Sequence, residues 1–524
     1  MKQQIEQNQS IKYLQALRAK APFLDQLLDR FGDRPVSEYL QWVCQYSSES
    51  VQPRQDIADA VSQYVTPLLG PTVAQTVAEE LLGMPVVLTA NHHGVDYFAQ
   101  SVQGSLLFSL RRSAGKRCRT VPIFACGNIP LDNITYPRGA LVYSSMKKET
   151  ELPIKLPLFS NKLRRQPVSR VRPIDPPMLK QAEVRLSRAE QDGDIGPCVA
   201  KQFQQILQQD YRAKEIQQCD DYSDQSVLLN NRLWQRMQAA ARQPSDLVYI
   251  ELERVAAQLL KKDLRNHDSL FSLLMFNLEL RESLLNRLNT IPGCWDLLAL
   301  ESRWNLRAEK ERSRSTGTGT FMFWGLDKKN RRIPLRLINL QGCEWLQGCD
   351  DDGSELLFPF EQEALRLALD EGRMLPSIFS CFLVMALARG MTCVGGYYQA
   401  DYLPKMQAGV VDALRSVEGY QAIALKVGLS CCDRYLSGMQ MVMNEQDKGL
   451  IPAGPIEVIA QGGLSDADLD HIESMTLLEG HYGSLVETLP DLIPEVLLDG
   501  DWQRNLAMDN YELLSNRALV SSFN

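Results

Sequence analysis

The chain has only five histidines, His92, His93, His267, His471 and His481, and two of them are adjacent. They stand in Asn91-His92-His93-Gly94-Val95-Asp96. Imidazole titrates near neutrality, so it can take and return a proton at working pH, or bind a metal when neutral. The pattern gives His92 or His93 as general base, Asp96 as the carboxylate that orients the ring, and Asn91 as an amide that holds a substrate oxygen. Gly94 lets the backbone come close to a ligand. The same residues also admit a plainer reading, in which Asp96 caps a helix beginning at Tyr97, Asn91 stabilises the turn and one histidine packs against the core. A third reading makes His92, His93 and Asp96 nitrogen and oxygen ligands of zinc, iron or manganese. No distant H-x-H or E-x-x-H adds further ligands to that set, and the sequence names no organic cofactor.

Three other stretches carry groups suited to binding. The loop Cys126–Gly139 contains Asn133 and Arg138; the Arg138 guanidinium is a fork for a carboxylate or phosphate, or else a surface ion-pair partner. Arg389–Pro404 combines glycines and tyrosines, with Arg389, Gln399 and Tyr402 as candidate pocket residues and a packed turn as the alternative. Ser313–Thr320, between arginines and a predicted strand, offers an anion nest or simply a polar loop. The twelve cysteines form no C-x-x-C pair, so a zinc ribbon is not indicated. No G-x-S-x-G elbow or Walker loop occurs.

The run Pro85–Asp96 resembles the first motif of the glycerolipid acyltransferases, Asn-His after a strand followed by an acid that supports the histidine as general base. In that family four residues separate histidine and aspartate; here three separate His92 from Asp96 and two separate His93 from it. Tyr136-Pro137-Arg138-Gly139 is similar to the family's later Pro-Glu-Gly motif, with Arg138 where the acid stands. The likeness spans about 60 residues and departs at both motifs, so it does not define membership.

These residues need elements to position them. Pro85–Ala90 and Thr120–Ala125 read as buried strands, Ala140–Tyr143 as a third, and Tyr97–Arg112 as a helix between the first two. Strand, loop, helix, strand builds parallel sheets with sites at the strand C-termini, which is where 91–96 falls. Residues 3–66 have helical spacing, broken at Leu69–Thr72, with a short helix at Val73–Leu82. From 146 to 175 lysine, arginine and proline dominate, suggesting a long connection or an arm over a neighbour. Residues 176–295 read as nearly all helix, most clearly Leu270–Leu288. Beyond 318 a hairpin is expected around Asp327–Arg331, helices at 360–371, 375–389 and 403–416, a strand at Ile456–Ala460 and a helix start at Ser465.

At 524 residues the chain exceeds one ordinary core. We divide it into a helical segment 1–72, an α/β segment 73–175 with the candidate site, a mainly helical segment 176–317 and an α+β lobe 318–524. The fold class is α/β or α+β, with a mixed or mainly parallel sheet. A net charge of −8 argues against a general nucleic-acid-binding surface. No apolar run reaches the roughly 18 residues of a membrane span, and the polar N-terminus has no signal core. Scattered cysteines in a chain this long read as reduced, which implies the cytoplasm. The expected function is a cytosolic enzyme acting on a small-molecule substrate, by histidine-based acyl transfer or hydrolysis. The alternatives are a metal-dependent enzyme using the same cluster and a noncatalytic scaffold built on the helices of 176–295. Oligomeric state is left open.

Overall fold

Short apolar runs rich in β-branched residues form the centre of the molecule. In a computed structural model, which describes residues 9–46, 55–147, 152–306, 318–446, 449–492 and 501–522, four such runs make one sheet. They are β1 (Val86–Leu88), β2 (Thr120–Ala125), β3 (Asp246–Glu251) and β4 (Thr392–Val394). The order is β4-β1-β2-β3 and every pairing is parallel, with Val87 beside Cys393, Leu88 beside Ile123 and Phe124 beside Ile250. The fold is therefore mixed α and β, with a parallel central sheet and smaller antiparallel ones.

Because strand side chains alternate, each strand feeds two cores. Val86, Leu88, Val121, Ile123, Leu247, Tyr249 and Val394 enter one, while Val87, Phe124, Val248, Ile250 and Cys393 enter the other. A parallel sheet covered on both faces explains the nearly continuous apolar strands. Three of the four segments drawn from the sequence share this sheet. β1 and β2 come from 73–175, β3 from 176–317 and β4 from 318–524.

Several elements differ from expectation. Gly139–Val142 pairs antiparallel with Ile154–Pro157 and lies outside the central sheet. Its place is taken by β3, inside the stretch expected to be helical. Ile456–Ala460 is helical, because Pro455 at the first position presets the helical φ after Gly454. Leu270–Leu288 is two helices, since the Asn277 side chain caps the second by accepting from the Leu280 N–H. The expected hairpin forms, Phe323–Leu326 against Arg332–Pro334, and Met374–Pro376 adds a third strand. Ser465 and Asp468 make the capping box of the helix that follows. Gly70, at φ +86°, kinks the long helix Gln55–Gly83 where a break was expected. Among the described residues no helix is long and apolar enough to cross a membrane.

Candidate active site

The C-terminal ends of the parallel strands bring separate loops together. After β1 the chain runs through 89–96 into α1 (Ala99–Ser109). β2 leads into Cys126-Gly127-Asn128, and β3 leads directly into α3 (Leu252–Asp263), α2 (Tyr222–Met237) being the helix that precedes it. The β1 and β2 loops stay paired. The Cys126 N–H donates to the Asn91 carbonyl at 2.9 Å, the His93 N–H donates to the Cys126 carbonyl at 2.8 Å, and His92 bridges Cys126. Gly94 has φ +122°, and a Cβ there would lie 2.6 Å from Pro137 Cβ. Glycine thus lets the 133–139 loop press onto the histidine loop.

His92 is held by that loop. Its Nδ1 is 3.2 Å from Asn133 Oδ1 and 3.3 Å from Thr135 Oγ1. Asn133 Oδ1 also accepts from the Thr135 N–H and hydroxyl, so the fitting tautomer carries its proton on Nδ1 and a lone pair on Nε2. Nε2 has no hydrogen-bond partner among the described residues, and the residue is partly accessible. Burial lowers the His92 pKa, with the Asn133 bond opposing, so the ring is neutral at neutral pH. Its carbonyl accepts from the Tyr249 hydroxyl at 2.6 Å.

The neighbouring His93 faces elsewhere and is fully buried. Its Nε2 is 2.9 Å from Ser223 Oγ, and that hydroxyl donates to Glu251 Oε2 at 2.5 Å. His93 therefore carries its proton on Nε2, and its buried Nδ1 has no partner among the described residues. Burial first, then the Arg254 charge, pushes its pKa down to about 3. Glu251 lies 3.3 Å from Arg254 Nε. Glu253 accepts from the N–H groups of Gly127 (2.7 Å) and Asn128 (3.1 Å) and from the Cys126 thiol (3.1 Å). A Cβ on Gly127 would meet Glu251 Cγ at 2.8 Å and Glu253 Oε2 at 3.3 Å, so both carboxyls close on this glycine. Desolvation raises both pKa values. Ser223, Tyr249, Glu251 and Glu253 were not singled out in the sequence. Reading 246–251 as a strand would have flagged the acids at its C-terminal end by the rule that selected 91–96.

Asp96 does not orient an imidazole. Its carboxyl accepts from Ser101 Oγ at 2.6 and 2.7 Å and from the Phe98 N–H at 3.1 Å, beside the Tyr249 hydroxyl at 3.1 Å. These bonds brace the start of α1, but Asp96 is not its cap: the helix begins at Ala99, not Tyr97, and its N-cap residue Phe98 makes no side-chain cap bond. Burial raises the Asp96 pKa to about 6, with Ser101 the main opposing bond. Asn91 is equally internal: its Nδ2 donates to Ser105 Oγ (3.0 Å) and the Ser101 carbonyl (3.2 Å). His92, His93 and Asp96 thus turn to three different sets of partners. Among the described residues no group of three or more His, Cys, Asp or Glu is placed to hold a metal.

The other candidates divide. Asn133 is brought to His92. Arg138, beside Pro137, is largely buried, packs 5.2 Å over the Tyr136 ring and lies 3.5 Å from Asp132. Arg389 is fully buried, its donors taken by Asp56, Asp263 and the Val384 carbonyl, which leaves none for a substrate. Gln399, in the first turn of α4 (Tyr397–Arg415), is bound to Thr89 and the Cys393 carbonyl. Tyr402 packs on Phe382, and burial raises its pKa. Residues 313–317 of the glycine-hydroxyl loop lie outside the described residues. No protein-family model, curated protein or solved structure matches the chain.

Proposed function

We propose that this chain is an enzyme acting on a small molecule by acyl transfer or hydrolysis, with His92 as general base through Nε2. The observation that carries the reading is the asymmetry of the ring. Nδ1 is anchored on Asn133 and Thr135, while Nε2 has no hydrogen-bond partner among the described residues, on a partly accessible side chain beside the ends of a parallel sheet. In the reaction, Nε2 takes the proton of a hydroxyl, thiol or water as that group attacks the acyl carbon. The imidazolium formed keeps its Nδ1–H on the Asn133 oxygen and returns the Nε2 proton to the leaving group. Because burial lowers the His92 pKa, the base stands ready in its neutral form. Of the two original arginine candidates, Arg389 is fully engaged, which leaves the Arg138 guanidinium for developing negative charge. His93 and Asp96 set the shape of the loop and touch no reacting atom. Twelve free cysteines support a reducing compartment such as the cytoplasm.

Turnover of a panel of acyl esters and thioesters by wild type, His92→Ala and His93→Ala tests the reading. His92→Ala should stay folded and lose about 10²–10⁴ of kcat. Undiminished turnover in that variant would falsify the general-base assignment.

A further inference from the structure

We propose that the Arg332 guanidinium, lying over Trp324, binds an oxyanion group, carboxylate or phosphate, of the molecule handled at the His92 loop. It rests on the catalytic reading only in assigning the anion to the substrate.

Arg332 opens the second strand of the 323–334 hairpin, paired with Leu326. Its guanidinium is 4.7 Å from the Trp324 ring centroid, which fixes its plane. Neighbouring arginines are engaged: Arg331 by Asp327 and Asp351, Arg165 by Asp351, Arg336 by Gln347. Arg332 alone of this group has neither a hydrogen bond nor an ion pair among the described residues. Although still partly accessible, it is crowded by its neighbours, and burial weakens its hold on its proton. A desolvated cation with five donors and no acceptor is an expensive arrangement, and it becomes favourable once an anion supplies the acceptors.

The location joins this cation to the candidate site. The strand Met374–Pro376, paired with Phe323–Leu326 of the hairpin, accepts from the Asn128 side chain at the Pro376 carbonyl (2.7 Å), which sets the hairpin against the loop after β2. Cys126 is the residue that bridges His92. The connection 164–170 runs along the other side of this loop, with the Ser169 N–H on the Gly127 carbonyl and the Val168 N–H on that of Ile129. Burial favours the protonated form of Glu253, and its carboxyl is already bonded to Gly127, Asn128 and Cys126, so it balances Arg332 only in part. Trp324 is partly accessible and offers aromatic surface beside the charge.

Isothermal titration of the full chain with inorganic phosphate and with succinate, at matched ionic strength against chloride, tests this. One anion at least should bind saturably at a single site, phosphate alone indicating a phosphoryl group and succinate alone a carboxylate. Arg332→Gln should weaken that binding about tenfold or more, and the helix variant Arg366→Gln, at a guanidinium held by Glu363 and Asp370, should leave it unchanged. Protection of Arg332 from phenylglyoxal by the same anion, mapped by mass spectrometry on wild type, gives a readout that needs no variant. Failure of both anions to bind wild type, equal affinity in Arg332→Gln, or lack of protection would each overturn the proposal. His92→Ala should lose turnover and keep the anion. Loss of turnover in that variant without anion binding at Arg332 sinks this proposal alone, while anion binding with undiminished His92→Ala turnover sinks only the catalytic reading.

Discussion

Two adjacent histidines end in opposite chemical states because their second nitrogens meet different neighbours. His92 keeps Nε2 open, whereas His93 is locked through Ser223 onto Glu251. His93→Ala should therefore lower stability by about 1–3 kcal/mol, from an unsatisfied Ser223–Glu251 pair, with little change in KM; urea titration and steady-state kinetics check this. The pH dependence has a defined sign. The His93 pKa falls from 6.5 to about 3 on folding, so its contribution is complete above pH 6.5 and drains away as pH falls towards 3. Glu457 behaves oppositely: burial raises its pKa to about 7, so its contribution is complete below pH 4.5 and is lost as pH rises through 7. Glu457→Gln should be more stable than wild type at pH 8, by up to about 3 kcal/mol, and the gain should vanish by pH 4 in denaturation series. At this scale the sequence singled out the histidine loop, and the structure sets it at the C-terminal ends of the parallel strands. It could not divide the labour within it, because Asn133, Ser223 and Glu251 are distant in the chain and only the fold brings them near.

At the level of elements, the site depends on one loop pressed onto another. Gly94→Ala forces a side chain into φ +122° and into Pro137. It should cost about 1–3 kcal/mol and, by lifting Asn133 and Thr135 from His92, reduce kcat more than stability alone explains; comparing activity of the folded fraction with melting temperature decides this. The strand Val86–Leu88 was legible because a compact apolar run is followed by polar loop residues. The run 246–251 was not, because it lies between two genuine helices and four apolar residues between two acids do not separate strand from helix by period. At Pro455 the error ran the other way, where β-branched composition suggested a strand but the proline presets helix.

For the whole molecule, Arg389 was expected in a pocket and instead fastens three parts of the chain. Its guanidinium binds Asp56 of the long N-terminal helix, Asp263 of α3 and the Val384 carbonyl. Arg389→Met should lower stability by about 3–5 kcal/mol, because two carboxylates are left without their cation, and chemical denaturation will show it. The sequence revealed that this residue was unusual, an arginine closing an apolar run, but burial decides whether such a charge serves a ligand or the fold. The shared sheet makes a further demand: a fragment of residues 9–306 should show no cooperative thermal transition, because it lacks β4 and much of one core. A sharp transition in that fragment would show the N-terminal part to be autonomous.

The strand order also has a consequence for the growing polypeptide. β1 is finished near residue 88, yet its outer neighbour β4 is not translated until residue 394. For some three hundred residues of synthesis, Val86–Leu88 forms the unprotected margin of an incomplete sheet, with bare peptide groups ready to pair with any extended chain nearby. So late a closing contact slows folding and lengthens exposure to association. The vulnerable period for this protein therefore lies on the ribosome, and it ends only when the last parallel strand docks beside the first.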